Sequence, residues 1–146
     1  MNAQLGYRVG GMVAAGILTM MFVAGAASDN SRPCGHQYGE VGTREVIRFK
    51  PGETSATVQW GVMSRFRDLY DVTARKGQTL TVRITATEEN AVFQICRPDG
   101  KTALAGADFG QDATHFTGQL PAGGRYTIIV GPTRQGAEYK LSVEVK

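Results

Sequence analysis

The chain has 146 residues, with 16 basic against 13 acidic side chains and a formal charge of +3. Its charges are interspersed, and no run of lysine and arginine interleaved with aromatics tracks a nucleic-acid backbone. Charge that serves a function must therefore sit locally, at a few loop positions.

Arg8 precedes an apolar run from Met12 to Ala24, which ends at Ala24-Gly25-Ala26-Ala27. This is the layout of a secretory signal with an Ala-x-Ala cleavage site. The run falls short of the about 20 apolar residues that a membrane span needs. Cys34 follows Ser31-Arg32-Pro33 rather than the small and apolar residues of a lipoprotein site, so no lipid anchor is expected. Residues 1–26 read as the signal, 27–42 as an irregular N-terminal segment and 43–146 as one β-sandwich domain. Cleavage leaves about 120 residues, the size of a single domain, and removes Arg8, which lowers the net charge by one to +2. In a Gram-negative host the destination is the periplasm. Both cysteines lie in the exported part, where oxidising conditions favour a Cys34–Cys96 bond. Two separate thiols are the alternative, because the sequence does not reveal the distance between them.

Along the rest of the chain, apolar and polar residues alternate with period two, the mark of half-buried strands. Glu45 to Lys50 carries Ile47 and Phe49 on one face, and Pro51-Gly52-Glu53 turns the chain into Ala56, Val58, Trp60 and Val62. Leu69 to Ala74 is followed by the turn Lys76-Gly77-Gln78, then by Leu80, Val82, Ile84 and Ala86 alternating with threonines and Arg83. Ala91 to Cys96 ends at the turn Pro98-Asp99-Gly100. After the polar loop Asp108 to Asp112 come strands at Thr114 to Leu120, Gly124 to Gly131 and Glu138 to Val145. About eight strands and no helical period predict an all-β, antiparallel β-sandwich of jelly-roll type. The predicted core comprises Trp60, Tyr70, Val72, Leu80, Val82, Ile84, Phe93, Ile95, Phe116, Tyr126, Ile128, Leu141 and Val143.

Catalytic chemistry finds no support in these residues. The two histidines, His36 and His115, have no metal-ligand spacing, and Ser64 and Ser142 lie in no nucleophile elbow. Asp108 and Asp112 are too few to satisfy calcium's about six to eight oxygens. Asp99 and Asp68 read first as turn or strand-edge residues. Ala105-Gly106-Ala107 lacks the Lys-Ser or Lys-Thr pair of a phosphate loop. The expectation is a non-enzyme without metal or cofactor.

Five segments carry a resemblance to a known family: VIRFKPGETSATVQW, YDVTARKGQTLTVRI, LPAGGRYTIIV, the Thr133-Arg134 pair after it, and the terminal YKLSVEVK. From about Val46 to Val145 the chain resembles the bacterial periplasmic inhibitors of goose-type (g-type) lysozyme, which look like pre-peptidase C-terminal β-sandwich domains. The resemblance implies that loops from one end of the sandwich enter the lysozyme's substrate cleft. The segments at the matching places are Met63 to Asp68 and Pro132 to Gly136. Ser64, Arg65, Phe66, Arg67, Asp68, Thr133, Arg134 and Gln135 are thereby the expected partner-binding residues. A glycosidase groove lined by carboxylates suits the planar fork of an arginine, which makes Arg134 the expected anchor and Arg65 with Arg67, flanking Phe66, the second contact. The resemblance departs at two points: family members carry a tyrosine near Arg65 and Arg67, and a final loop richer in lysine and arginine than GPTRQGAE. The alternative reading is a secreted β-sandwich module that binds carbohydrate or protein without inhibiting lysozyme.

Overall fold

Eight β-strands form two four-stranded sheets in a computed structural model that describes Cys34 and residues 39–146. The expected signal, His36 and most of the irregular N-terminal segment lie outside the described residues. The strands are β1 (Glu40–Val46), β2 (Ser55–Met63), β3 (Phe66–Ala74), β4 (Thr79–Ala86), β5 (Ala91–Cys96), β6 (His115–Gln119), β7 (Gly124–Pro132) and β8 (Gly136–Val145). One sheet has the order β1-β3-β7-β5 and the other β2-β8-β4-β6. Every pairing between these strands is antiparallel except β1 with β3, which is parallel. The fold is the predicted all-β sandwich.

The period-two pattern sets which side chains meet between the layers. Tyr70 and Val72 of β3, Phe93 and Ile95 of β5, and Tyr126, Ile128 and Val130 of β7 are buried against Leu80, Val82 and Ile84 of β4 and Tyr139, Leu141 and Val143 of β8. Burying each large aliphatic side chain stabilises by roughly 1.5 to 3 kcal/mol. Turn chemistry closes the strand ends. Gly77 takes φ of +88° in the β3–β4 turn, a conformation a side chain would strain, and its N–H bonds the Leu120 carbonyl at 2.8 Å.

The expected disulfide is present, joining Cys34 to Cys96 with the Cα atoms 5.7 Å apart. It lies with Leu69 and Ile129 in a small apolar cluster separate from the main core.

Three readings are corrected. Trp60, expected in the core, is 54% exposed. It continues the row of half-buried Ala56 and Val58 and buried Val62, opposite Tyr139, but β2 is the outermost strand of its sheet, where that row is covered on one side only. The strand expected over Glu45 to Lys50 begins earlier and stops at Val46; the Ile47 N–H makes one more bond to β3, at the Asp71 carbonyl at 2.8 Å, before the chain leaves for the turn in which Lys50 accepts the Glu53 N–H at 2.9 Å. The segment expected to be irregular accordingly gives up Glu40 to Gly42 to β1, where parallel pairing with β3 recruits a charged sequence that shows no alternation.

Candidate functional site

The β2–β3, β4–β5 and β7–β8 connections meet at one end of the sandwich, together with the start of β1. Strand direction dictates this, since β2, β4 and β7 all run towards that end and β1, β3, β5 and β8 leave it. The β2–β3 and β7–β8 connections, far apart in the chain, are joined by backbone: Met63 pairs with Gly136, and the Ser64 N–H donates to the Gln135 carbonyl at 2.8 Å.

The β4–β5 turn holds the β7–β8 connection from its other side. Asn90 is buried; its side-chain Nδ2 donates to the Gly136 carbonyl at 2.6 Å, and its own carbonyl accepts the Thr133 N–H at 2.8 Å. Both shoulders of Thr133-Arg134-Gln135 are thus tied, and an unpaired backbone group so near the core would be costly. Arg134 itself is exposed, and its side chain makes no hydrogen bond or ion pair with the described residues. The result is a tied mount for an exposed guanidinium. Nothing in the sequence pattern singled out Asn90, whose role depends on strands distant in the chain.

The two arginines of the β2–β3 connection have separate surroundings. Arg65 is exposed, its Nη2 is 2.8 Å from Glu40 Oε1, and its guanidinium carbon stands 5.7 Å from the centre of the Phe66 ring. The Arg65 carbonyl accepts the Glu40 N–H at 2.8 Å, which fastens the start of β1 to this loop. Phe66 is half-buried against the core. Arg67 folds back onto the outer face of its sheet: Nη1 donates to the Phe66 carbonyl at 2.7 Å and the Ser64 carbonyl at 3.2 Å. It crosses Gly131, where a Cβ would come within 2.5 Å of the Arg67 Nε, so a side chain there would displace the guanidinium. Partial burial lowers the Arg67 pKa from its usual very high value. Arg67 also borders a polar cleft of about 260 Å³ shared with Gln94, Phe109, Asp112 and Thr133. Its hydrogen bonds make it a brace for the loop.

Asp68, expected among the contact residues, is withdrawn from the surface, with 2% of its area exposed. Oδ1 accepts the Thr43 N–H at 3.0 Å and Oδ2 accepts the Tyr139 hydroxyl at 2.7 Å. The Tyr139 and Tyr70 hydroxyls are 2.5 Å apart, with their rings edge-to-face. This buried chain of polar groups links β1, β3 and β8 directly beneath the loop end. Desolvation, with the negative charge of Asp68 contributing, pushes the Tyr70 pKa up to about 12 and that of Tyr139 further in the same direction.

Ser64, Arg65, Thr133, Arg134 and Gln135 therefore share one exposed end, Phe66 and Arg67 support it, and Asp68 anchors it from below. Among the described residues no group of histidine, cysteine and carboxylate side chains is placed to hold a metal. His115 is exposed on β6.

No protein-family profile matches the chain, and no curated protein does. Solved structures do. The chain is similar to Aeromonas hydrophila PliG, a periplasmic lysozyme inhibitor of g-type lysozyme, with a TM-score of 0.62 and 25% identity over 74% of this chain and 99% of that one. Salmonella Typhimurium PliG, described in the same terms, gives a TM-score of 0.57 and 25% identity over 73% and 100%. The pre-peptidase C-terminal domain of a Bacillus anthracis collagenase, at 11% identity and a TM-score of 0.50 over 70% and 94%, shares the fold alone. Both sides of the resemblance read from the sequence are thus found among solved structures, and those at 25% identity are inhibitors rather than enzymes.

Proposed function

We propose that this protein is a periplasmic inhibitor of g-type lysozyme that blocks the enzyme's substrate cleft with the sandwich end carrying Arg134 and Arg65. The observation that carries the reading is the backbone bond between Ser64 and Gln135, which makes one surface of two segments expected to act together. Inhibition needs no reaction on the inhibitor. A carboxylate-lined groove attracts guanidinium groups, and a mount held by Ser64 and Asn90 presents Arg134 with little ordering left to lose on binding. The likeness to two PliG structures supports the partner class. Export to the periplasm would place the protein beside the peptidoglycan that such an enzyme attacks.

The test adds purified protein to goose-type, chicken-type and invertebrate-type lysozymes acting on peptidoglycan. Selective loss of goose-type activity is expected. Equal and negligible effects on all three would remove the proposal in favour of a carbohydrate- or protein-binding module.

A further inference from the structure

The cleft of about 260 Å³ beside Arg67 lies on the outer face of the first sheet, and strand register lays it out. Val92 of β5 stands opposite Gly131 of β7, over which Arg67 crosses, and Gln94 stands opposite Ile129. The loop after β5 returns along that strand's edge, where Ala113 bridges Phe93, and residues 109–112 make the far wall. Polar groups elsewhere on this face are spent within the fold. Asp71 accepts from Arg44 and from Thr127. In the cleft they are not: the Gln94 amide, the Thr133 hydroxyl and the Asp112 carboxylate make no hydrogen bond with the described residues, and Arg67 donates through Nη1 alone, which leaves Nε and Nη2.

Charge narrows what such a cleft takes. The guanidinium on one wall faces the carboxylates of Asp108 and Asp112 on the other, so an anion meets two like charges and a cation meets one. A neutral ligand meets neither penalty. The unspent groups comprise both donors and acceptors, and they stand beside apolar surface: half-buried Val92 in the floor and the Phe109 ring, 56% exposed, at the wall.

We infer that this cleft is a saccharide subsite, which takes a neutral sugar ring carrying an acetamido group, of the N-acetylhexosamine class. The acetamido carbonyl accepts from Arg67 and its N–H donates to Asp112, while Gln94 and Thr133 serve ring hydroxyls and the C–H face of the sugar packs on Phe109. A zwitterionic amino acid would match the two charged walls, but exposed ion pairs add little, and Gln94 and Thr133 would go unused. The subsite stands apart from lysozyme inhibition, since neither Arg134 nor Arg65 belongs to it.

Titration of the 15N-labelled protein with N-acetylglucosamine, followed by amide chemical shifts, tests this directly. Saturable shifts are expected at Gln94, Gly110, Asp112 and Thr133, with a dissociation constant of about 1 mM, the range open to a ligand of about 15 non-hydrogen atoms. Glucose, which lacks the acetamido group, should bind at least about fivefold more weakly, the value of one hydrogen bond. Gln94→Ala removes a side chain that the fold does not use, so its spectrum should stay native while binding weakens about fivefold. Phe109→Ala should weaken it likewise. An absence of shifts up to about 20 mM sugar, shifts confined to residues outside the cleft, equal affinity for glucose, the same shifts produced by glycine, or a Gln94→Ala or Phe109→Ala variant that binds like the parent would each overturn the proposal.

Discussion

Arg134 and Arg65 stand at the same loop end, but they are unequal as anchors. Arg134 has no partner to give up among the described residues, and the groups on either side of it are fixed by Ser64 and Asn90. Arg65 must leave Glu40, an exposed pairing of the kind usually stabilised by at most about 1 kcal/mol, so part of what it gains on binding is offset. Arg134→Ala should weaken inhibition of goose-type lysozyme by about 2 kcal/mol, the size of a central contact at an interface, or roughly thirtyfold in the inhibition constant. Arg65→Ala should cost less than about 1 kcal/mol. An unchanged inhibition constant for Arg134→Ala would move the anchor elsewhere while leaving the fold as described. Sequence reading reached both arginines through resemblance to a family, because nothing local in GPTRQGAE or MSRFRD shows that two loops so distant in the chain touch. It also grouped Arg67 and Asp68 with the contacts. Neighbours in a strand point to opposite faces, which puts the Arg67 side chain on the outer face of its sheet and turns Asp68 inwards.

At the scale of the strands, β3 and β8 are joined across the sandwich by the hydroxyl contact of Tyr70 with Tyr139 and by the bond of Tyr139 to Asp68. Both tyrosines have folded-state pKa values raised above the unfolded value near about 10, that of Tyr70 to about 12. A raised value means that the neutral hydroxyl is favoured in the fold. Stability from this pair is therefore complete below about pH 10 and is lost as pH rises from there through the folded values. Absorbance titration of phenolate formation should show Tyr70 and Tyr139 ionising only as the protein unfolds, and Tyr139→Phe should remove one phenolate from that late step. A parent protein and a Tyr139→Phe variant with identical titrations while both stay folded would disprove this account. The strands differ in what the sequence makes legible. β4 and β8 alternate cleanly because one of their faces meets the core along its whole length, whereas β7 breaks the pattern at Ile129, which faces outwards onto the disulfide. β2 alternates equally well, and its Trp60 is exposed, since alternation identifies the inward face of a strand and not its place in the sheet. β1 shows no alternation, because it is held by parallel pairing with β3 and by the bond of Thr43 to Asp68 rather than by an apolar row.

Over the whole molecule, the interaction end and the disulfide are separate supports of one scaffold. The bond closes a span of 62 residues, and closing a loop of that length restricts the unfolded chain enough to stabilise the fold by about 4 kcal/mol. On the folded side it packs with Leu69 and Ile129 on the outer face of the first sheet. The loop end is held by other means: the Ser64, Asn90 and Thr133 hydrogen bonds and the buried Asp68 chain. The start of β1, which fastens to Arg65 and follows Cys34 in the chain, is one link between the two supports. The double variant Cys34→Ala and Cys96→Ala should therefore unfold in urea with a free energy lower by about 4 kcal/mol, while below its transition its inhibition constant changes less than about threefold, the share that loosening Arg65 can account for. Alanine suits this test because it adds no unpaired hydroxyl beside Leu69 and Ile129. Loss of inhibition in the folded variant, in step with the loss of stability, would show that the N-terminal clip positions Arg134 as well, and that the two supports act as one.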